Sequence, residues 1–185
     1  MKKSEIKKAF PYLTNVEIDN AVKYNEYKTE LGFLNYLAKK NEANEAKATK
    51  GDVKELRINI EWKPSRMYGY NPHAEYWCEY ADGHTEHGKA TCSGCGYDKA
   101  STVLAEIFNK TCCGMLWRKR NSRKDSPYGI YHAGKNENKN SWPYFDGGIG
   151  VECYGRIAAF LGGTFRRVAS GKMFDVYVAE FKVKK

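Results

Sequence analysis

The sequence predicts an α+β protein, in which two helices cover an antiparallel sheet and a small helical module precedes both. Two observations lead to this prediction. The spacing of apolar residues changes from helical to alternating near residue 52, and two pairs of alternating stretches are each joined by a short glycine-containing turn. Because one helical pattern follows the first three strands and another precedes the last two, the predicted element order is β-β-β-α-loop-α-β-β.

Residues 1–50 are predicted to be helical. Thr14 and Glu17 have the spacing of a capping box, in which each side chain accepts a hydrogen bond from the other residue's backbone. Apolar residues continue from Ile18 at helical spacing. Pro11 separates this helix from a shorter one before it, because proline cannot donate a backbone hydrogen bond.

A further apolar stripe, also at helical spacing, contains Leu31, Leu34 and Leu37. The segment 39–51 that follows is polar apart from three alanines and ends at a glycine. We interpret this segment as a linker or an exposed helical extension. It marks the expected boundary between the N-terminal module and an α+β body at residues 51–185.

Alternating apolar residues predict three strands at the start of the body. The first strand covers 56–62 and stops at Pro64, since proline cannot donate to a neighbouring strand. The second and third strands, at 74–81 and 84–91, are joined by Asp82-Gly83. This pair is typical of a two-residue hairpin turn in which both residues have positive φ.

The clearest helical pattern in the body lies at 99–109, where apolar residues recur three and four positions apart. Asp98 is placed to cap the N-terminus of this helix. Residues 110–146 contain few periodic apolar residues and many Asn, Lys, Gly and Pro, so we expect a long loop there.

A second helix is predicted at 149–161, with Gly162-Gly163 ending it. A last hairpin, with its turn at 170–172, closes the chain. With one helix in each half of the body, we expect both helices to cover the same sheet.

The composition indicates an intracellular protein. No apolar run is long enough to cross a membrane, and the first lysines are not followed by the apolar core of a secretory signal. We therefore expect a location in the cytoplasm and no membrane partner. In that reducing compartment the six cysteines should be thiols rather than disulfides.

Positive charge is concentrated in the C-terminal half of the chain. The protein has 31 Lys and Arg against 22 Asp and Glu, which gives a net charge of +9. Residues 101–185 hold 15 of these basic and 7 of these acidic side chains. An excess of this kind points to a polyanionic partner.

The strongest functional signal is a basic and aromatic stretch in the predicted loop. Five positive charges fall within residues 118–124, and tryptophans lie on both sides of them. Positive side chains neutralise phosphates and exposed rings stack on bases, so we predict binding of nucleic acid or a nucleoprotein complex. The alternative is a solvated basic loop whose rings pack against the body. The candidate nucleic-acid-binding residues are Trp117, Arg118, Lys119, Arg120, Arg123, Lys124, Trp142, Arg156, Arg166 and Arg167.

His84 and His87, followed by Cys92 and Cys95, are the nearest approach to a metal site. Structural zinc sites usually place a dozen or more residues between their two halves, and here only four intervene. An offset of three also places the histidines on opposite faces of a strand. With a two-residue turn, Cys78 faces His87 instead. We therefore favour structural thiols over zinc and predict no metal and no cofactor.

The sequence indicates no catalytic residue. It contains no HExxH motif and no nucleophile elbow. Glu137 and Lys139 resemble part of a metal-dependent nuclease motif, but their surroundings have the composition of a loop, and a catalytic carboxylate pair needs rigid support. We therefore predict a protein that is not an enzyme.

One stretch of the body resembles a recurring pattern in small, uncharacterised proteins of bacterial phages and mobile elements. It extends from the first strand to the end of the first long helix. The residues that carry the resemblance are Trp62, Ser65, Arg66, Gly69, Tyr70, Asn71, Pro72, Gly94, Cys95, Gly96, Tyr97, Asp98 and Lys99. The resemblance implies a mobile-element accessory protein that acts in a bacterial host cell, on nucleic-acid machinery or on a host defence protein. It transfers no catalytic residue.

Together these observations predict a non-catalytic accessory protein that binds nucleic acid or a nucleic-acid-bound host complex. Given the resemblance, its concrete form is an inhibitor of a bacterial defence nuclease, of the anti-CRISPR type. Two alternatives stay open. One is a protein-interaction adaptor that uses the stripe of Leu31, Leu34 and Leu37 for self-association without touching nucleic acid. The other is a small nuclease.

Overall fold

The computed structural model describes residues 1–24, 27, 29–67, 69–92, 99–119, 126–131 and 142–183. The helices are α1 (Lys3–Ala9), α2 (Asn15–Lys23), α3 (Glu30–Ala48), α4 (Lys99–Thr111), α5 (Cys113–Arg118) and α6 (Cys153–Phe160). The strands are β1 (Val53–Ser65), β2 (Gly69–Tyr80), β3 (Thr85–Thr91), β4 (Ile130–Tyr131), β5 (Tyr144–Phe145), β6 (Gly163–Ser170) and β7 (Phe174–Phe181).

The α+β fold predicted from the sequence is confirmed. Five strands form one antiparallel sheet in the order β3-β2-β1-β7-β6, and β4 pairs with β5 in a separate two-stranded sheet. Helix α4 packs against β2 and β3, whereas α6 packs against β6. The two long helices of the body therefore cover the two ends of the same sheet.

The N-terminal module has its own small core. Ile6, Leu13, Ile18 and Leu37 are almost completely buried in one apolar cluster, separate from the cluster of the body. The predicted capping box starts α2: the Glu17 backbone N–H donates to the Thr14 hydroxyl at 3.2 Å, and the Thr14 N–H donates to the Glu17 carboxylate at 2.9 Å. The apolar spacing and the capping box were thus sufficient to place this helix.

Most of the predicted linker is the C-terminal half of α3. Of the two interpretations, the helical extension is the one observed, but one of its faces is buried. The Asn44 amide donates to the Tyr12 carbonyl at 3.1 Å and to the Glu17 carboxylate at 2.9 Å, and Ala48 is also buried. A polar segment can pack closely when its polar groups find partners.

The core of the body lies between the sheet and its helices. On β1, Leu56, Ile58 and Ile60 are at most 1% exposed, while the alternate residues face the other side of the sheet. On α4, Val103 and Leu104 are fully buried. Each such side chain contributes about 1.5–3 kcal/mol relative to an exposed one, so this face holds the layers together.

The first two strands are longer than predicted. Strand β1 continues through Pro64, which pairs with Tyr70, and β2 already begins at Gly69. Pro64 lies past the last pair between β1 and β7, Glu61 with Phe174, so its missing N–H removes no bond to β7. The two strands therefore extend past the sheet as a hairpin.

The predicted register between β2 and β3 is wrong by one residue. Cys78 faces Glu86 and Trp77 faces His87, because Tyr80 rather than Ala81 closes the turn: its N–H donates to the His84 carbonyl at 2.8 Å. Gly83 has a φ of +86°, but Asp82 does not have positive φ. The turn is therefore a three-residue loop ending in a left-handed glycine, not a two-residue turn.

The predicted loop at 110–146 contains elements that the periodicity did not indicate. Helix α4 continues to Thr111, and α5 follows, with Met115 and Leu116 buried in the core of the body. Strands β4 and β5 are only two residues long, and such short pieces carry no detectable period.

The second long helix begins later than predicted. Ile149 is buried, but it lies in the turns before α6, which starts at Cys153. The predicted end is confirmed: Gly162 has a φ of +91°, and its N–H donates to the Ala159 carbonyl at 3.0 Å. Glycine is favoured there because other residues are strained at positive φ.

We predict that Gly114→Ala destabilises the protein. A Cβ at this position would overlap the backbone carbonyl oxygen of Lys50, so α5 must shift away from the end of the module. Overpacking of this kind costs about 1–3 kcal/mol, measurable as a lower urea midpoint. Gly155→Ala is the control, because a Cβ there meets nothing within 4 Å and alanine favours a helix interior. Equal stability of the two variants would contradict the prediction.

Candidate nucleic-acid interface

The two tryptophans that flank the basic stretch meet in the folded chain. Trp117, at the end of α5, and Trp142, just before β5, stack with ring centroids 4.0 Å apart and planes at 23°. Both rings are half-buried. The Trp142 Nε1–H is buried without a hydrogen-bond partner among the described residues. The two ends of the segment between these residues therefore leave the body at the same place.

Lys119 reaches from the end of α5 to the end of α6. Its ammonium donates to the Phe160 carbonyl at 2.6 Å and lies 5.1 Å from the centroid of the Phe160 ring. Arg156 precedes Phe160 by four residues, so the two side chains share one face of α6. Lys119 and Arg156 are thus brought to one surface.

This surface, called the α5–α6 surface below, consists of Trp117, Lys119, Trp142, Arg156 and Phe160. Neither of its two cations forms an ion pair with a carboxylate in the part of the chain that the structure describes. Glu152, the N-cap residue of α6, lies one turn before Arg156 and is exposed. The cations are therefore available to an anion from outside.

Arg118 has a different environment from Lys119. Its guanidinium donates to the carbonyl oxygens of Ala48 at 3.4 Å and Lys50 at 3.2 Å, and it forms an ion pair with Asp52. The end of α3 presents unsatisfied carbonyls with partial negative charge, which a cation stabilises. Arg118 therefore joins the module to the body.

Arg166 and Arg167 point to opposite faces of the edge strand β6. Arg166 pairs with Glu180 at 3.2 Å, and Arg167 pairs with Asp175 at 3.5 Å. Both side chains are more than half exposed, so these pairs are weak. The remaining candidates, Arg120, Arg123 and Lys124, lie outside the described residues.

The histidines of the possible metal site lie apart. The His84 ring stacks on Tyr80, whereas His87 stacks on Trp77 and its Nε2 lies 2.8 Å from the Glu75 carboxylate. Cys92 is buried, and Cys95 falls outside the described residues. Over the ranges given above, no three His, Cys, Asp or Glu side chains are grouped in a way that could hold a metal ion.

A lysine joins the two parts of the stretch that resembles phage and mobile-element proteins. Lys99, the first residue of α4, donates to the Tyr70 carbonyl and to the Asn71 side-chain oxygen, both at 2.9 Å. Residues 93–98, including the predicted cap Asp98, lie outside the described residues. The lysine at the end of the pattern therefore fixes the extended β1–β2 hairpin to the start of α4.

A half-buried polar centre around Glu86 was not anticipated from the sequence. Its carboxylate accepts hydrogen bonds from the hydroxyls of Tyr76 at 3.0 Å and Tyr80 at 2.9 Å, and pairs with Lys50 at 2.6 Å. Lys50 also donates to the Lys110 carbonyl at the end of α4. The sequence did not indicate it, because the predicted register placed His87 opposite Cys78, whereas the observed register places Glu86 there, between Tyr76 and Tyr80.

Glu86, the two tyrosines and the neighbouring Cys78 have shifted pKa values, each with a clear cause. Partial burial alone would raise the pKa of Glu86, but hydrogen bonds from Lys50 and Tyr80 outweigh it and lower the pKa. Burial, with the Glu86 charge, raises the pKa of both tyrosines. Burial also raises the pKa of Cys78 to about 11, so this thiol is protonated at neutral pH.

Comparison with known proteins adds no assignment to this geometry: the chain matches no protein-family model, no curated protein and no solved structure. Within the described ranges, no helix has both the length and the apolar character needed to cross a bilayer.

We predict that Arg118→Ala lowers the free energy of unfolding by about 1 kcal/mol, because the end of α3 loses a charged donor at a half-exposed site. Urea unfolding measures this loss. Arg166→Ala removes an equal charge from a more exposed pair and should change stability by less than about 0.5 kcal/mol. A larger effect of the control would contradict the structural role of Arg118.

We predict that Glu86→Gln makes stability less dependent on pH in acid. The folded pKa of Glu86 is lowered, so its ionised form stabilises the fold above the unfolded value of about 4.5, and this contribution is lost as pH falls through the folded pKa. Urea midpoints between pH 7 and pH 3 should therefore fall more steeply for the unmodified protein. Glu61→Gln, in an exposed pair with Lys63, is the control and should leave the slope unchanged.

Proposed function

We propose that this protein binds nucleic acid, or a host complex that contains nucleic acid, without catalysing a reaction. The observation that supports the proposal is the α5–α6 surface. It combines two cations that lack carboxylate partners among the described residues with an aromatic pair, at the place where the basic segment begins.

The distribution of ion pairs distinguishes this surface from the other candidate cations. Arg118, Arg166 and Arg167 each have a carboxylate within 4 Å, which satisfies part of their charge inside the protein. Lys119 instead donates to a backbone carbonyl, and because this acceptor is uncharged it does not neutralise the ammonium. Phosphates of an incoming strand are the natural counter-ions for such a group.

The chain continues from this surface with further positive charge. Between the stacked tryptophans, residues 118–141 contain seven Lys or Arg and two Asp or Glu. Since Trp117 and Trp142 are in contact, the two ends of this segment lie close together, near Lys119.

The finer form of the proposal is an inhibitor of a bacterial defence nuclease, of the anti-CRISPR type. It is supported only by the sequence resemblance, which is an association rather than a mechanism. The binding of a polyanion is the part that side-chain geometry supports.

An adaptor is the second candidate because several apolar side chains of the module face solvent. Leu37 is buried in the module core, but Leu31 is 69% exposed, and Tyr24 is 61% exposed. Such side chains are common in protein interfaces, although single exposed apolar residues are also ordinary on surfaces.

We predict that the double variant Lys119→Ala/Arg156→Ala weakens binding to single-stranded oligonucleotide. If each cation contacts one phosphate, the slope of log affinity against log salt should shrink by about 1.4. Fluorescence anisotropy over a range of salt concentrations measures it. Arg166→Ala/Arg167→Ala removes the same charge from ion-paired positions and should change the slope less.

An equal slope in the two double variants would contradict the α5–α6 surface as the binding site. Binding that is insensitive to salt in the unmodified protein would instead favour the adaptor, because an apolar interface has no counter-ions to release.

A further inference from the structure

The hairpin formed by β1 and β2 extends past the sheet. Pairing of β1 with β7 ends at Glu61, and pairing of β2 with β3 ends at His73. Among the described residues, 63–65 and 69–71 therefore pair only with each other. At about 3.3 Å per residue, these three pairs project roughly 10 Å beyond the neighbouring strands. This projection, formed by residues 62–67 and 69–72, is called the ribbon below.

The tip of the ribbon is both apolar and basic. Met67 is 78% exposed, more than any other large apolar side chain that the structure describes, and Tyr70 is 54% exposed. Arg66 is exposed and has no ion pair to a described carboxylate. From residue 62 to residue 74 the sequence contains no acidic side chain. Exposed apolar groups beside unpaired positive charge indicate a contact surface.

The base of the ribbon is held from two sides. Lys99 donates to the Tyr70 carbonyl and to the Asn71 side chain, as described above. On the other strand, the Trp62 indole N–H donates to the Asp175 carboxylate at 3.2 Å. A projection fixed in this way loses little conformational entropy when it binds.

We propose that the ribbon enters the major groove of duplex DNA, with Arg66 at a phosphate and Met67 against the base edges. This inference rests on the proposed function and extends it to a second surface and a substrate class. The major groove of B-form DNA is about 12 Å wide and admits a two-stranded β-ribbon, whereas that of A-form RNA is too narrow for side chains to read. Because residues 62–74 contain no acidic side chain, the ribbon does not repel the phosphates that line this groove on both sides.

The test compares two double variants of the full chain. Arg66→Gln/Met67→Ser changes the ribbon tip, and Val168→Ser/Lys172→Gln makes the same kinds of change on the neighbouring β6–β7 hairpin, where Val168 is 42% exposed. Each protein is titrated with a DNA duplex of about 20 base pairs, which is two helical turns, and with one strand of it.

For the ribbon variant we expect about tenfold weaker binding to the duplex and little change for the single strand. Its salt slope on the duplex should shrink by about 0.9, the value for one phosphate contact. The β6–β7 variant should bind both probes like the unmodified protein. A major-groove ligand such as methyl green should displace the protein, and a minor-groove ligand such as netropsin should not.

Other outcomes separate this inference from the proposed function. If the unmodified protein binds only the single strand, or if the ribbon variant binds the duplex normally, the ribbon proposal is overturned and the α5–α6 surface stands. If netropsin displaces the protein and methyl green does not, the assignment to the major groove is overturned. If the unmodified protein binds neither probe at any salt concentration, both proposals fail together.

Discussion

The close approach of Gly114 to the backbone of Lys50 is the contact on which the arrangement of the other parts depends. Only a residue without a side chain lets α5 lie against the carbonyl of Lys50. The ammonium of the same lysine then reaches Glu86 on β3 and the Lys110 carbonyl at the end of α4. One residue thereby links the helical module, the edge of the sheet and two helices of the body. Because α5 is fixed here, Lys119 is held next to α6.

The distribution of charge on the sheet explains why its open face is not the candidate interface. Strand register places the carboxylates of Glu79, Glu55 and Glu180 side by side across three strands of that face. Like charges in adjacent positions repel one another, and a phosphate would add to this repulsion. Lys54 and Arg166 compensate Glu79 and Glu180 there. Lys119 and Arg156, which form no ion pair with a described carboxylate, lie away from these glutamates, beside the helices α5 and α6.

Local patterns predicted the elements whose formation depends on neighbours in sequence. The pair Thr14 and Glu17 placed the start of α2, and alternation placed the inward residues of β1. The turn after β2 was misjudged because Asp82-Gly83 is compatible with both a two-residue and a three-residue loop, and only the second brings Tyr80 opposite His84. Helix α5 was missed because six residues are too few to show a helical period.

The amino-acid sequence by itself determined the α+β class, the inward faces of β1 and α4, and the concentration of positive charge beside two tryptophans. Only the tertiary structure decided which of those charges are compensated. Arg118 and Lys119 are adjacent and chemically similar, yet Arg118 meets Asp52, which lies 66 residues away in the chain, while Lys119 meets a carbonyl and a ring. The energy of an ion pair depends on the distance between the two charges in space, and in water it is small beyond a few ångströms. The spacing of residues along the chain carries no information about that distance.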